Sequence, residues 1–381
     1  LSILSLLRGL LTILSLVLLG LAAYLLYEWY DGRAVLGRDG VVRIHRESWM
    51  LWAGGALLAW SFLGRWPMLW LLARKDTDPT RAERGKGRTI QSTTGSTLYL
   101  EDHGSPHAQP IILTHGWSMD STFWYYAKRD LLDQFRVIVW DLPGLGLSKR
   151  SGPKLSLSQM ADDLKSIIAQ TGDARPILVG HSIGGMVIET LARDHPQYVA
   201  SHVAGVALLN TTYTNPLQTM ILSRFLRTLR KPVIVPMMYL QIWLSPLVWL
   251  SNWQSYLSGS QHLAMRFGFG RFVTRSQLEH VALLATRNSP SVVAHGDLAM
   301  LRWDSLRGPA NLTMPTTVLG GSVDIVTKPA ASQQIAARVP GAKLRIIEGV
   351  NHMGPMERAD LYNAEIADLA EACAGSLSLK A

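Results

Sequence analysis

From Gly9 to Tyr27 the chain reads GLLTILSLVLLGLAAYLLY, nineteen residues without a charge. A helix of about 20 apolar residues crosses the hydrocarbon of a bilayer, so this run predicts a transmembrane helix. A cleaved secretory signal has a shorter apolar stretch and small residues at its cleavage point, whereas this one leads into Tyr27, Glu28, Trp29 and Tyr30, an interfacial aromatic group. An uncleaved anchor is the expectation. The composition agrees: 48% of the 381 residues are hydrophobic and 17% charged, so part of the chain is expected to meet lipid.

A second apolar stretch, Trp49 to Ala73, is interrupted by Arg65 and Pro67. Its tryptophans at 49, 52, 60, 66 and 70 project into an arc of about 120° on a helix, with Arg65 opposite. Such a stripe favours the headgroup boundary, as a second span paired with the first or as a kinked helix in the membrane surface. The bland alternative is a Trp-rich core helix packed on the rest of the protein. Residues 1–73 are therefore read as a membrane region. Residues 74–88, with six basic and three acidic side chains, read as a solvated linker. The loop from Glu28 to Ser48 has four arginines and four acids, and the contrast predicts that the domain beyond the linker lies on the cytoplasmic side.

From about Thr89 the pattern changes to short β-rich runs beginning at Thr97, Pro110, Arg136, Pro176, Val203, Pro315 and Lys343. They alternate with helical segments such as Leu157 to Gln170 and Gly185 to Arg193. Near-continuous apolar strands separated by helices predict a mostly parallel α/β sheet covered on both faces. Between residues 216 and 307 the alternation stops, which predicts an inserted cap, with the sheet domain formed by 89–215 and 308–381.

Gly180-His181-Ser182-Ile183-Gly184 lies between the strand PILVG and the helix GGMVIETLAR. In that context G-x-S-x-G is a sharp turn that holds the serine out at the top of a sheet. A serine hydroxyl needs a base, and the base needs orienting. His352 follows the last predicted strand, KLRIIEG, and Asp324 follows TTVLGG, so Ser182, Asp324 and His352 are the candidate triad. An acid after VAGVALLN would stand at Asn210, an uncharged amide, so Asp324 is preferred. The backbone N–H groups of Trp117, in the His115-Gly116-Trp117 turn, and of Ile183 are the candidate oxyanion donors.

These pieces, with Asp141-Leu142-Pro143-Gly144-Leu145-Gly146-Leu147-Ser148 and GVNHMGP, resemble an α/β-hydrolase of the serine-hydrolase type over about three quarters of the chain. The resemblance implies an eight-stranded sheet, a helical cap after the sixth strand and no metal or organic cofactor. With the apolar N-terminal segments it is closest in kind to membrane-anchored monoacylglycerol-lipase-like members. Thioesterases, lactonases and carbon–carbon hydrolases present the same motifs, and a catalytically silent receptor or membrane adaptor is the non-enzyme alternative. Relatives that use an aspartate nucleophile are disfavoured by Ser182.

Other residues carry blander readings. The Asp141 to Ser148 loop is expected to shape a turn, His181 to pack away from the site, and His280 and His295 to be ordinary hydrogen-bonded histidines. Cys373 is the single cysteine, which excludes an internal disulfide, and reads as a small buried apolar side chain. The net charge of +9 sits mainly in the cap, where ten basic residues face three acidic ones. Thr219 to Lys231 places Arg224, Arg227, Arg230 and Lys231 on one helical face and apolar residues on the other, which predicts contact with an anionic membrane surface. Nucleic acid is not the expected partner, since no base-stacking or groove-reading module accompanies the charge. Met237, Met238, Trp243 and Met353 are expected to line an apolar substrate pocket. The reading is a membrane-anchored serine hydrolase acting on lipophilic carboxylic esters; oligomeric state is not readable from spacing.

Overall fold

The computed structural model describes residues 3–378. Helix α1 (Ile3–Asp31) leads into a small antiparallel hairpin of β1 (Arg33–Leu36) and β2 (Val42–His45), and α2 (Ser48–Leu63) then returns along α1. A short helix α3 (Arg65–Leu72) follows the break at Gly64. The apolar part of α1, Leu7–Asp31, has 25 residues. At 1.5 Å per residue it is about 37 Å long, enough to cross a bilayer.

The sheet has eight strands: β3 (Gly87–Gln91), β4 (Thr97–His103), β5 (Pro110–Thr114), β6 (Arg136–Trp140), β7 (Ile177–His181), β8 (Gly205–Leu209), β9 (Thr316–Gly321) and β10 (Lys343–Ile347). Their order is β10-β9-β8-β7-β5-β6-β4-β3, with β4 antiparallel to both its neighbours and the remaining pairs parallel. The edge strand β3 begins inside the expected linker. Strands β5, β7, β8 and β9 are buried along their whole length, the signature of a sheet covered on both faces.

Period-2 alternation divides the strand side chains between two cores. Leu113, Val139, Val179 and Leu209 face one core, shared with Tyr362 and Ile366, whereas Ile112, Ile138, Leu178 and Leu208 face the other, shared with Leu164 and Ile188. The covering helices are α4 (Tyr125–Leu131), α5 (Leu157–Ile168), α6 (Ile183–Asp194) and α7 (Pro196–His202). Between β8 and β9, after the sixth strand of this sheet, the chain forms seven helices: α8 (Pro216–Thr219), α9 (Ser223–Leu229), α10 (Val235–Trp243), α11 (Ser245–Leu257), α12 (Ser260–Arg266), α13 (Arg275–Arg287) and α14 (Pro290–Met300). Helices α15 (Pro329–Ala336), α16 (Gly354–Glu357) and α17 (Ala359–Ser378) complete the fold. Cys373 in α17 is buried, in line with its reading as a core side chain.

The N-terminal helices dock on the inserted helices with their polarity reversed. On α1 the buried residues include Thr12, Ser15 and Ala22, while Leu10, Ile13, Val17 and Tyr24 are exposed. Ser15 Oγ lies 2.6 Å from Ser258 Oγ, at the end of α11. All five tryptophans of α2 and α3 are exposed, and Arg65 turns inward, 5.2 Å from the centre of the Tyr256 ring and 3.9 Å from Glu279. Arg65 also lies 4.6 Å from the centre of the Trp66 ring, so the expected opposition of Arg65 to the tryptophans does not hold for Trp66, its neighbour in α3. The linker is not free: Asp76 accepts from the Ser276 backbone at 2.9 Å, and Arg84 reaches Asp120 and Asp141 at 2.7 and 2.9 Å. A guanidinium neutralised in this way adds nothing to a basic flank.

Close backbone approach fixes this docking. A Cβ on Gly64 would run into the carbonyl of Ser258, and one on Gly259, at φ +85°, into Met68. Gly64→Ala should therefore destabilise the detergent-solubilised protein by about 1–3 kcal/mol, the usual cost of overpacking, read as a lower thermal midpoint. An unchanged midpoint would show that these helices are not held by that contact.

Candidate active site

Ser182 stands between β7 and α6 with φ +53° and ψ −117°, a conformation that L-residues rarely adopt. The strain persists because neighbouring groups over-determine it. Its N–H donates to the Leu209 carbonyl at 3.0 Å, and its own carbonyl accepts from Gly185, Met186 and the Thr211 hydroxyl. Only glycine fits at 180 and 184: a Cβ on the first would strike the Gly184 backbone, and a Cβ on the second the Thr114 carbonyl.

The three predicted residues meet at the carboxyl edge of the sheet. Ser182 Oγ lies 2.9 Å from His352 Nε2, and His352 Nδ1 lies 3.0 Å from Asp324 Oδ2. Both Asp324 and His352 are buried. Nδ1–H donates to the carboxylate, which leaves Nε2 to accept from the serine. Burial alone would raise the Asp324 carboxyl, but His352 and hydrogen bonds from Asn210 and Thr327 hold it below its ordinary value. Its second oxygen accepts from the backbone N–H groups of Val326 and Thr327, both at 2.8 Å.

Asn210 is the residue that sequence reasoning set aside. Its Nδ2 donates to Asp324 Oδ2 at 2.9 Å and to the Asn351 carbonyl at 3.1 Å, while Tyr362 Oη donates to its Oδ1 at 2.6 Å. The amide at the end of β8 thus braces the acid that follows β9. Asn351 braces the histidine loop, accepting the His352 N–H at 2.8 Å. His181 does more than pack. It is stacked on Phe123, and its Nε2 donates to the His352 carbonyl at 2.9 Å. Burial pushes its imidazole down to about 3, so it stays neutral in this role.

The turn after β5 faces the elbow. The backbone N–H groups of Trp117 and Ile183 donate to no protein acceptor among the described residues, as a pair of oxyanion donors requires. The Ile183 side chain is in the core, so only its N–H is available. The Trp117 indole donates to the Val293 carbonyl at 3.1 Å and lies against Gly296, which ties this turn to α14. His115 Nε2 accepts from Leu142 N–H at 3.0 Å. Asp141, fully buried, accepts from Ser121 and Leu147 N–H groups at 2.7 Å each, which matches the turn-shaping reading of its loop.

Ser182, His352, Trp117 and Met353 line a cavity of about 100 Å³, walled also by Met119, Met186, Met265 and Met300. Met237, Met238 and Trp243 do not line it. Met238 is buried in the insertion's own core with Met220, Leu226 and Ile234, and Met237 and Trp243 are exposed on its outside. The order of apolar residues cannot say which face of a helix turns toward the sheet. His280 packs near Thr122, and burial pushes it down to about 4. His295 Nδ1 lies 2.7 Å from the Ser291 carbonyl and faces a separate surface depression. Neither lines the catalytic cavity.

Asp324→Asn should lower kcat about ten-thousand-fold, because the amide cannot hold the imidazole in the required tautomer. The same pair of proteins tests the electrostatics. With a folded-state pKa below the unfolded value of about 3.9, the carboxylate stabilises the fold above that pH and the stabilisation fades as pH falls through the depressed pKa. The difference in unfolding free energy between wild type and variant should be flat from about pH 7 to about pH 5 and shrink below about pH 4. A difference that grows on acidification would contradict this assignment.

The comparisons with known proteins agree with the geometry. A family model described as the alpha/beta hydrolase fold matches residues 109–359. A pimeloyl-[acyl-carrier protein] methyl ester esterase of Nitrosospira multiformis is 22% identical over 286 residues, spanning 72% of this chain and 98% of the relative. Among solved structures, an esterase from Exiguobacterium antarcticum superposes with a TM-score of 0.61 at 20% identity, covering 75% of this chain and all of that one. A membrane phospholipase A described as a bacterial virulence factor gives a TM-score of 0.59 at 18% identity over 76% of this chain and 86% of that one. With its strand order, its serine elbow and this family match, the chain belongs to the alpha/beta hydrolase fold family.

Proposed function

We propose that the protein is a membrane-anchored serine hydrolase that cleaves carboxylic esters of lipophilic substrates. The observation that carries the reading is the unbroken chain of contacts from Ser182 through His352 to Asp324, at the wall of a methionine-lined cavity. As Ser182 Oγ attacks the ester carbonyl, its proton passes to His352 Nε2, and Asp324 holds the imidazolium through Nδ1–H. The N–H groups of Trp117 and Ile183 donate to the oxyanion. Collapse expels the alcohol with the proton from Nε2. Water, deprotonated by the same nitrogen, then hydrolyses the acyl-enzyme.

Membrane attachment is supported by α1, which turns Thr12, Ser15 and Ala22 toward protein and leaves Leu10, Ile13, Leu14, Leu16, Val17, Leu21 and Tyr24 exposed. Interfaces between membrane helices favour small residues for the same packing reason. On the insertion, Leu222, Phe225, Leu240, Trp243, Leu247 and Leu250 are exposed, and α9–α10 meets α11 at a 97° bend. Arg224, Arg227, Arg230 and Lys231 lie along this part of the chain, a combination that suits an anionic lipid surface. The name of the similar membrane phospholipase A is consistent with this placement. The basic linker supports a cytoplasmic catalytic domain, without the contribution of the paired Arg84.

A fluorophosphonate probe tests the chemistry: wild type should label covalently and Ser182→Ala should not, with ester turnover falling on the order of a million-fold. Well-folded wild type that does not label would sink the hydrolase reading in favour of a silent receptor. Across matched acyl chains, kcat/KM should favour medium or long chains presented in micelles. A preference for acetyl esters indifferent to detergent would contradict a lipophilic substrate.

A further inference from the structure

The first helix packs on α12 along a polar seam that ends at the catalytic cavity. Arg8, Thr12 and Ser15 recur at i, i+4 and i+7 and so share one face of α1, and Gln261 and Met265, one turn apart, share one face of α12. At one end of the seam Ser15 Oγ lies 2.6 Å from the hydroxyl of Ser258, just before α12. At the other end Arg8 and Met265 both line the cavity walled by Ser182 and His352. The two helices therefore run in opposite directions here, and Thr12 and Gln261, each three residues from its bonded serine, fall at one level between those fixed ends. Both are buried. Among the described residues, the Thr12 hydroxyl and both polar atoms of the Gln261 amide have no hydrogen-bonding partner. The seam also reaches the surface, since Ser258 Oγ is 3.1 Å from the hydroxyl of half-buried Ser260.

A buried polar group without a partner costs folding free energy, and polar side chains inside membrane helices commonly mark the path of a small polar species. An amide with two donors and an acceptor, level with a hydroxyl that both donates and accepts, is the kind of polar wall that holds buried water. The reaction needs water at one moment, when Ser182 carries the acyl group. The acyl chain then lies against Met119, Met186, Met265 and Met300, a wall that offers water no strong hydrogen bond. We propose that the seam between α1 and α12 is the entry path of the hydrolytic water, with Thr12 and Gln261 as its positioning residues. The water oxygen bonds to the acyl carbon as its proton passes to His352 Nε2; the bond to Ser182 Oγ then breaks, Oγ takes that proton, and the carboxylic acid leaves. The helix that anchors the chain thereby also supplies water to a site whose other walls exclude it. This inference rests on the ester-hydrolase reading above.

The test uses the full chain in detergent micelles with the p-nitrophenyl ester of a medium-chain fatty acid. Rapid mixing separates the two halves of the reaction: the burst of p-nitrophenol gives the acylation rate, and decay of the acyl-enzyme, followed by intact-protein mass, gives the rate of attack by water. Thr12→Val and Gln261→Met remove the polar atoms and nearly keep the side-chain size. Each should slow decay of the acyl-enzyme about 10-fold, the loss of one hydrogen bond to the water, and leave the burst rate at the wild-type value. Thr12→Ser should decay like wild type. Thermal midpoints should stay level or rise, because unpartnered buried atoms have been removed, whereas a merely structural role would lower them and slow the burst as well. Unchanged decay in both variants, or a burst that slows in step with decay, overturns the proposal. Labelling by a small fluorophosphonate reports whether each variant keeps a folded site; if one fails it, the other decides. If wild type acylates and turns over but decay does not move in the variants, only the water path fails. If wild type neither labels nor forms an acyl-enzyme, the hydrolase reading fails with it.

Discussion

The backbone of Ser182 is held in a conformation it would not choose, and the surrounding site is arranged around that constraint. A left-handed serine at the end of β7 needs glycine on both sides, a Leu209 carbonyl to receive its N–H and a Thr211 hydroxyl to close on its own carbonyl. These partners come from β8 and the loop after it, so Ser182 is positioned by strand pairing and not by its own turn alone. The same register puts Asn210 one step beyond Leu209, where it reaches the acid after β9 and the loop after β10. Strain at the serine and order in the triad are consequences of one sheet edge.

The second organising contact lies outside the sheet. Helix α1 turns Thr12, Ser15, Ala22 and Leu25 inward and leaves Leu10, Ile13, Leu14, Val17 and Tyr24 outside, so many of its large apolar side chains face away from the protein. Gly64, Ser258 and Gly259 let the N-terminal helices approach the inserted helices backbone to backbone. Arg65, Tyr256, Glu279 and His262 then join across the same junction, with His262 Nε2 2.6 Å from Glu279. The N-terminal helices are therefore part of the body that walls the catalytic cavity, and not a tether beside it.

The meeting of Ser182, Asp324 and His352 was legible because each follows an apolar strand at a loop, a pattern that survives without any knowledge of packing. Seven strands were legible for the same reason. The edge strand β3 was not, since Gly87 to Gln91 is largely exposed and lacks the apolar run that marked the others. Arg84 looked like linker charge because the carboxylates that neutralise it, Asp120 and Asp141, are 36 and 57 residues away. An amide cannot take the place of the carboxylate, and the contribution of Asn210 is instead to donate to Asp324. Composition points to Met237, Met238 and Trp243 at the pocket, but helix packing turns them away from it, whereas Met353 lies there because it directly follows His352.

By itself, the sequence determined the class of fold, which serine, histidine and aspartate stand together at the sheet edge, and the presence of an anchor-length apolar helix. Each depends on local periodicity or on residues fixed to a strand end, and such information is contiguous in the chain. Tertiary structure alone decided which methionines wall the cavity, which charges are spent on one another and where Arg8 ends. Those outcomes depend on which face of a helix meets which neighbour, and helix faces are chosen by packing between segments that lie hundreds of residues apart.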